Sequence, residues 1–245
     1  MKAMRIQRST HRALWGLVFF LAAAAASAGS FQVSPVNPTL SSRHPVSALT
    51  VRNTSANPTV IQVDAMAWSQ PEGVDTFVPA PDILATPPIF TLPAGGTQVI
   101  RVGSRLPPDA NAERSYRLFL REIPPPPKPG FNGLRMALRI SLPLFIQPTA
   151  SAVPQLEWQA IAWEKGRLRI QATNKGLAHA RLSAFKLSNG IDGKPLPIPG
   201  ETVYVLPGAS HVWVVQTGVV SGTRLHLGAE TDSGAIQTDL VVAGR

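Results

Sequence analysis

The sequence predicts an all-β protein built from two immunoglobulin-like β-sandwiches, and three observations carry that reading. From Phe31 onward, short apolar runs are broken by Pro, Gly, Asn and Ser at intervals of about 8–15 residues. No window sustains a helical period of 3.6 free of Pro and Gly. The same texture then repeats beyond residues 148–154 (PTASAVP), a small, polar, proline-bounded stretch that reads as a linker. With 44% hydrophobic and 15% charged residues in 245, there is apolar material for two cores and too little polarity for a disordered chain. The chain has no Cys, which excludes an inter-sheet disulfide, thiolate metal sites, iron–sulfur clusters and a Cys nucleophile.

Taken in order, residues 1–12 hold Lys2, Arg5, Arg8 and Arg12 without an acid, and an apolar run (ALWGLVFFLAAAAA) follows and closes on Ala26-Ser27-Ala28. This is the pattern of a secretory signal peptide over 1–28, cleaved after Ala28. The run is shorter than the roughly 18–20 residues needed to cross a bilayer, so no membrane insertion is expected after cleavage. Removing those four charges takes the formal +9 to +5, which removes much of the case for a nucleic-acid partner. The first domain, 29–148, has expected strands at 48–52, 59–68, 89–92, 97–102, 115–121 and 134–145. After a linker at 149–153, the second domain, 154–245, has them at 156–163, 167–173, 180–187, 211–217, 223–229 and 236–243.

Residues 133–148 read GLRMALRISLPLFIQP. Leu134, Met136, Leu138, Ile140, Leu142 and Leu144 alternate with Arg135, Ala137, Arg139, Ser141 and Pro143, a sustained period of two. A strand of that length would run about 40 Å, more than one small sandwich needs. Such an apolar edge templates pairing with another chain, and strand addition is the use that suits it. An ordinary core strand of a closed sandwich shows the same alternation.

Further residues carry a resemblance. Ala85-Thr86-Pro87-Pro88, then 92–102 (LPAGGTQVIRV), then 116–124 (YRLFLREIP), then the alternating strand ending in Phe145-Ile146-Gln147-Pro148, resemble the periplasmic pilus-assembly chaperones (PapD-like). The likeness runs from Phe31 to about Pro148 and continues more weakly around 230–234. It implies an L-shaped (boomerang) arrangement of two immunoglobulin-like domains that stabilises pilus, fimbrial or spore-coat-type subunits in the periplasm and delivers them to an outer-membrane usher, with no enzymatic activity and no cofactor. The family lends the last strand of its first domain to a subunit lacking its own seventh strand. Here that row matches Leu134, Met136 and Leu138, with Ile140 next and Leu142 and Leu144 facing the chaperone's own core. Self-association of the free chaperone would hide the same row.

The departures from the family are informative. Its best-known members grip the subunit's C-terminal carboxylate with an Arg and a Lys, and at those positions this chain has Asn37 and Pro143, whose side chains cannot supply a charge-assisted bond. Ser115 and Gln147 replace members of an interdomain charge network, of which Asp232 is retained. This pattern resembles the divergent archaic or alternative branch. Arg101 is the first alternative anchor, followed by Arg139 and Arg117.

Other chemistries have little footing. After signal cleavage the histidines are His44, His179, His211 and His226, none at metal-site spacing, so no metal is expected. Gly95-Gly96 reads as a turn, no nucleophile-elbow, S-x-x-K or phosphate-loop motif occurs, and Asp64, Glu72, Asp75 and Asp82 are scattered. Pro124 to Pro127 reads as a stiff loop between strands. Asn53-Thr54-Ser55 reads as a turn. A secreted carbohydrate-binding adhesin is the alternative function. It would need an aromatic platform, and Trp158 and Trp163, five apart on one strand, face opposite sides.

Overall fold

A computed structural model describes residues 31–126, 129–130, 132–133 and 136–244 of the chain. The expected signal peptide 1–28 and the first donor residue, Leu134, lie outside the described residues. Among these there are eighteen strands and two single-turn 3-10 segments, with no α-helix.

The first half contains β1 (Phe31–Ser34), β2 (Thr39–Leu40), β3 (Val46–Asn53), β4 (Thr59–Ser69), β5 (Thr76–Pro79), β6 (Ile83–Thr86), β7 (Ile89–Leu92), β8 (Thr97–Ser104), β9 (Arg114–Ile123) and β10 (Arg139–Ile146). One sheet has the order β1-β3-β8-β6, and the other β2-β10-β9-β4-β5, with β7 also on β4. Alternate residues turn inward, as a pleated sheet with one buried face requires. Leu49 and Val51, Ile100 and Val102, Leu118 and Leu120, and Leu142 and Leu144 meet in the core between the sheets.

The second half contains β11 (Leu156–Trp163), β12 (Arg167–Asn174), β13 (Ala180–Asn189), β14 (Pro195–Leu196), β15 (Val203–Val205), β16 (Ser210–Gln216), β17 (Arg224–Thr231) and β18 (Gly234–Val241). Its sheets are β11-β12-β16 and β14-β13-β17-β18, with β15 on β13. Leu168, Ile170, Leu182, Trp213, Leu225 and Leu227 form the centre of its core. The fold is therefore all-β with two domains, as the turn spacing predicts. The strands absent from the sequence reading, β1, β2, β5, β6, β14 and β15, have four residues or fewer. Segments that short take their register from a longer neighbour, and their own alternation carries little signal.

Each half closes one end of its sandwich with a fully buried asparagine. Asn53 ends β3 and donates from Nδ2 to the Asn57 and Leu92 carbonyls, while its Oδ1 accepts from Ser55 N–H. This is the turn expected of Asn53-Thr54-Ser55. Asn174 ends β12 and repeats the device. Its Nδ2 donates to Ala178 and Val205, and its Oδ1 accepts from Gln155 and Gly176 N–H groups. Asn174→Ala orphans four main-chain groups and is expected to cost about 2–3 kcal/mol. A lower urea midpoint at unchanged m-value would check it.

One expectation is corrected here. The strand predicted over 134–145 begins at Arg139, and residues 136–138 carry no strand. Pairing with β9 is what defines it. The ladder runs from Arg139↔Arg121 to Ile146↔Arg114, and Leu138 adds one more bond by accepting from Glu122 N–H. Alternation of apolar residues, the sequence signal, extends further than the available partner strand.

Candidate functional site

The site is built around the open side of β10. Between Arg139 and Leu144 this strand pairs only with β9 among the described residues, and β2 covers its other side at Phe145 and Ile146. In an antiparallel ladder, residues alternate between bonding to the neighbour and bonding away from it. Leu138 accepts from Glu122 on β9 at 2.9 Å, and Gln147 N–H donates to Leu40 on the β2 side at 2.8 Å. The phase so set directs the main-chain groups of Arg139, Ser141 and Pro143 away from β9. Pro143 thus occupies a position where no ladder N–H is required, the place where an edge strand tolerates proline.

The apolar row of the sequence divides along this strand. Met136 is 81% exposed, Leu138 and Ile140 are half-buried against the first core, and Leu142 and Leu144 are buried in it. The half-burial of Leu138 and Ile140 differs from a fully free donor row.

The outer face of the same sheet carries cations on aromatic rings. Arg117 stands opposite both Met66 and Pro143, and its guanidinium lies 3.9 Å from the Trp68 ring centre and 5.1 Å from that of Tyr204. Burial draws its pKa below the usual arginine value, opposed by the charges of Tyr204 and Asp75. Its Nε is buried without a hydrogen-bond partner, and no carboxylate forms an ion pair with it among the described residues. Arg139 lies 4.0 Å from the Phe119 ring centre. Arg101 is on β8, in the other sheet, on an exposed outward position. Of the three candidate anchors, Arg117 and Arg139 therefore share the face that borders the open edge, and Arg101 does not.

Trp68 and Phe145 are where this face meets the second half, and both belong to its apolar cluster. Tyr204 meets Trp68 edge-on at 5.4 Å, and His179 stacks flat on Phe145 at 3.5 Å. Gln70 donates to the Tyr204 carbonyl and accepts from Leu206 N–H. Gly73, with φ +80°, brings the turn after β4 so near Ser210 that a Cβ would lie 2.7 Å from its carbonyl oxygen. Asp232, the expected survivor of an interdomain network, is joined by residues the sequence reading did not single out. His179 Nδ1 is 2.7 Å from Glu113, its Nε2 is 3.6 Å from Asp232, and Arg181 is 3.6 Å from Asp232.

The expected separation of the tryptophans is also met. Trp158 stacks with Trp213 at 5.8 Å on the core side of β11, and Trp163 has Arg169 over its ring at 5.7 Å on the other side.

The site thus consists of two sandwiches joined through an aromatic seam, with an open strand edge beside a half-buried cation. The family described as the pili and flagellar-assembly chaperones, PapD N-terminal domain, matches residues 30–152, and the chain belongs to this family. No curated protein matches it. Among solved structures, a chain of the CsuC–CsuE chaperone–tip adhesion subunit pre-assembly complex from archaic chaperone-usher Csu pili of Acinetobacter baumannii is 22% identical, with a TM-score of 0.66. That match covers 89% of this chain and 100% of the other. A chain of the Salmonella enterica SafA pilin–SafB chaperone complex is 19% identical, TM-score 0.60, covering 89% and 98%. The CupB2 chaperone of Pseudomonas aeruginosa is 17% identical, TM-score 0.56, covering 86% and 100%. These structural likenesses concern the fold.

Proposed function

We propose that this protein is an ATP-independent periplasmic chaperone that binds pilus, fimbrial or spore-coat-type subunits by strand addition along β10 and passes them to an outer-membrane usher. The observation that carries the reading is the open side of β10 from Arg139 to Leu144, continued by the exposed Met136. A subunit with an incomplete sandwich exposes a groove and unpaired main-chain groups, both prone to aggregation. The edge supplies hydrogen bonds, and Met136, Leu138 and Ile140 supply apolar side chains, with Leu134 preceding them in the same alternation.

Arg117 is the cation best situated to receive the subunit's C-terminal carboxylate. It sits across from Pro143, the position where the family's lysine is missing, and its guanidinium is oriented by Trp68 and Tyr204 with no ion pair to a carboxylate among the described residues. A carboxylate arriving there would make charge-assisted hydrogen bonds in a partly desolvated setting. Co-expression with the subunits encoded beside it, followed by mass spectrometry of the purified protein, tests the reading. A one-to-one complex with a subunit is expected. A protein recovered alone, or with a bound glycan, would overturn it.

A further inference from the structure

Resting on that reading, the charge arrangement beside the open edge points to a rule for the strand that binds there. Arg139 and Arg121 are direct cross-strand partners on the outer face of β10 and β9. Like charges so placed repel, and the pair needs acid nearby. Among the described residues, Asp64 is the acid that ion-pairs with either of them. One carboxylate oxygen lies 3.3 Å from Arg121, and the other accepts a hydrogen bond from Gln62 at 2.8 Å. Arg139 has no ion pair among the described residues, and Phe119 holds its guanidinium at 4.0 Å. It is therefore an exposed, oriented, uncompensated cation on the strand whose other side is open.

We infer that Arg139 selects an acidic residue in the bound strand. A strand added to β10 places one outward side chain directly across from Arg139, at the short cross-strand separation where opposite charges attract and like charges repel. An Asp or Glu there would flank the Arg121–Arg139 pair with an acid on its second side, as Asp64 already does on the first, and a Lys or Arg there would be a third cation. Arg117 reads the end of the partner chain, whereas Arg139 reads its interior and fixes its register.

A displayed library of short strands tests this, with Val and Ile at alternate positions, randomised residues between them and a free carboxyl terminus, selected on the mature protein. Acids should be enriched about two- to fivefold at one outward position with the native protein, and Arg139→Gln should remove that enrichment while still retaining strands. Identical outward residues selected by native protein and variant would overturn the rule. If no strand is retained, or if Met136→Arg retains the same ones, strand addition itself fails and the rule fails with it.

Discussion

Met136→Arg is expected to abolish recovery of a subunit with the chaperone while leaving the chaperone's own unfolding midpoint unchanged. The side chain is 81% exposed in the free protein, so the new charge stays in water there and costs the fold nothing. In the complex the same position would enter the subunit's apolar groove, where an unpaired charge costs about 3–5 kcal/mol. That is a loss of at least a hundredfold in affinity. Leu138→Arg is a less discriminating variant, because Leu138 packs against the first core and its replacement also weakens the fold. Comparing the two by thermal unfolding and by subunit recovery separates loss of binding from loss of folding. Full recovery of subunit with Met136→Arg would remove this residue from the donor row.

The second large effect is expected at Arg117. Arg117→Met keeps an apolar stem against Trp68 but removes the cation, and the complex should weaken by about 2–3 kcal/mol, the worth of hydrogen bonds to a charged group. A double-mutant cycle identifies the partner. Lengthening the subunit by one residue, so that its carboxylate no longer reaches the seam, should cost as much in the native chaperone and little more in the Arg117→Met variant. Additive losses would mean that the carboxylate is bound elsewhere, and the same cycle on Arg139 would then locate it. In Arg117→Lys, affinity should be only partly restored, since an ammonium cannot reproduce the planar contact with Trp68 and Tyr204.

The fold was legible because its signals are local. Turn residues at regular intervals and alternation in β3, β8, β9 and β12 need no knowledge of distant partners, and they predict the sandwiches. The inward aim of Leu142 and Leu144 was implied by the family resemblance, and both are buried in the first core. The extent of β10 was not legible, since a strand ends where its partner ends, and β9 stops pairing near Glu122. Pro143 in the sequence signified only a missing lysine. Its register opposite Arg117, and its place among the residues directed away from β9, arise from pairing across a loop.

The interdomain contacts were hidden for a related reason. Glu113 and His179 are 66 residues apart, and neither lies in a motif. The retained Asp232 was a visible trace of their network, and His179 supplies a second link that the family comparison of single positions could not suggest. Among the cations, Arg101 ranked first in the sequence because it ends an expected strand. Sheet membership adds what that reading lacked, since Arg117 and Arg139 lie on the sheet that contains β10 and Arg101 lies on its partner sheet.

Amide hydrogen exchange on β10, free and in complex with a co-purified subunit, tests strand addition most directly. Arg139 and Ser141 carry the outward N–H groups of the open edge, and these two amides should exchange quickly in the free chaperone and slow by orders of magnitude when a strand pairs with them. Leu142 and Leu144, already bonded to β9, should be slow in both states. Unchanged exchange at Arg139 and Ser141 in an intact one-to-one complex would contradict strand addition along β10.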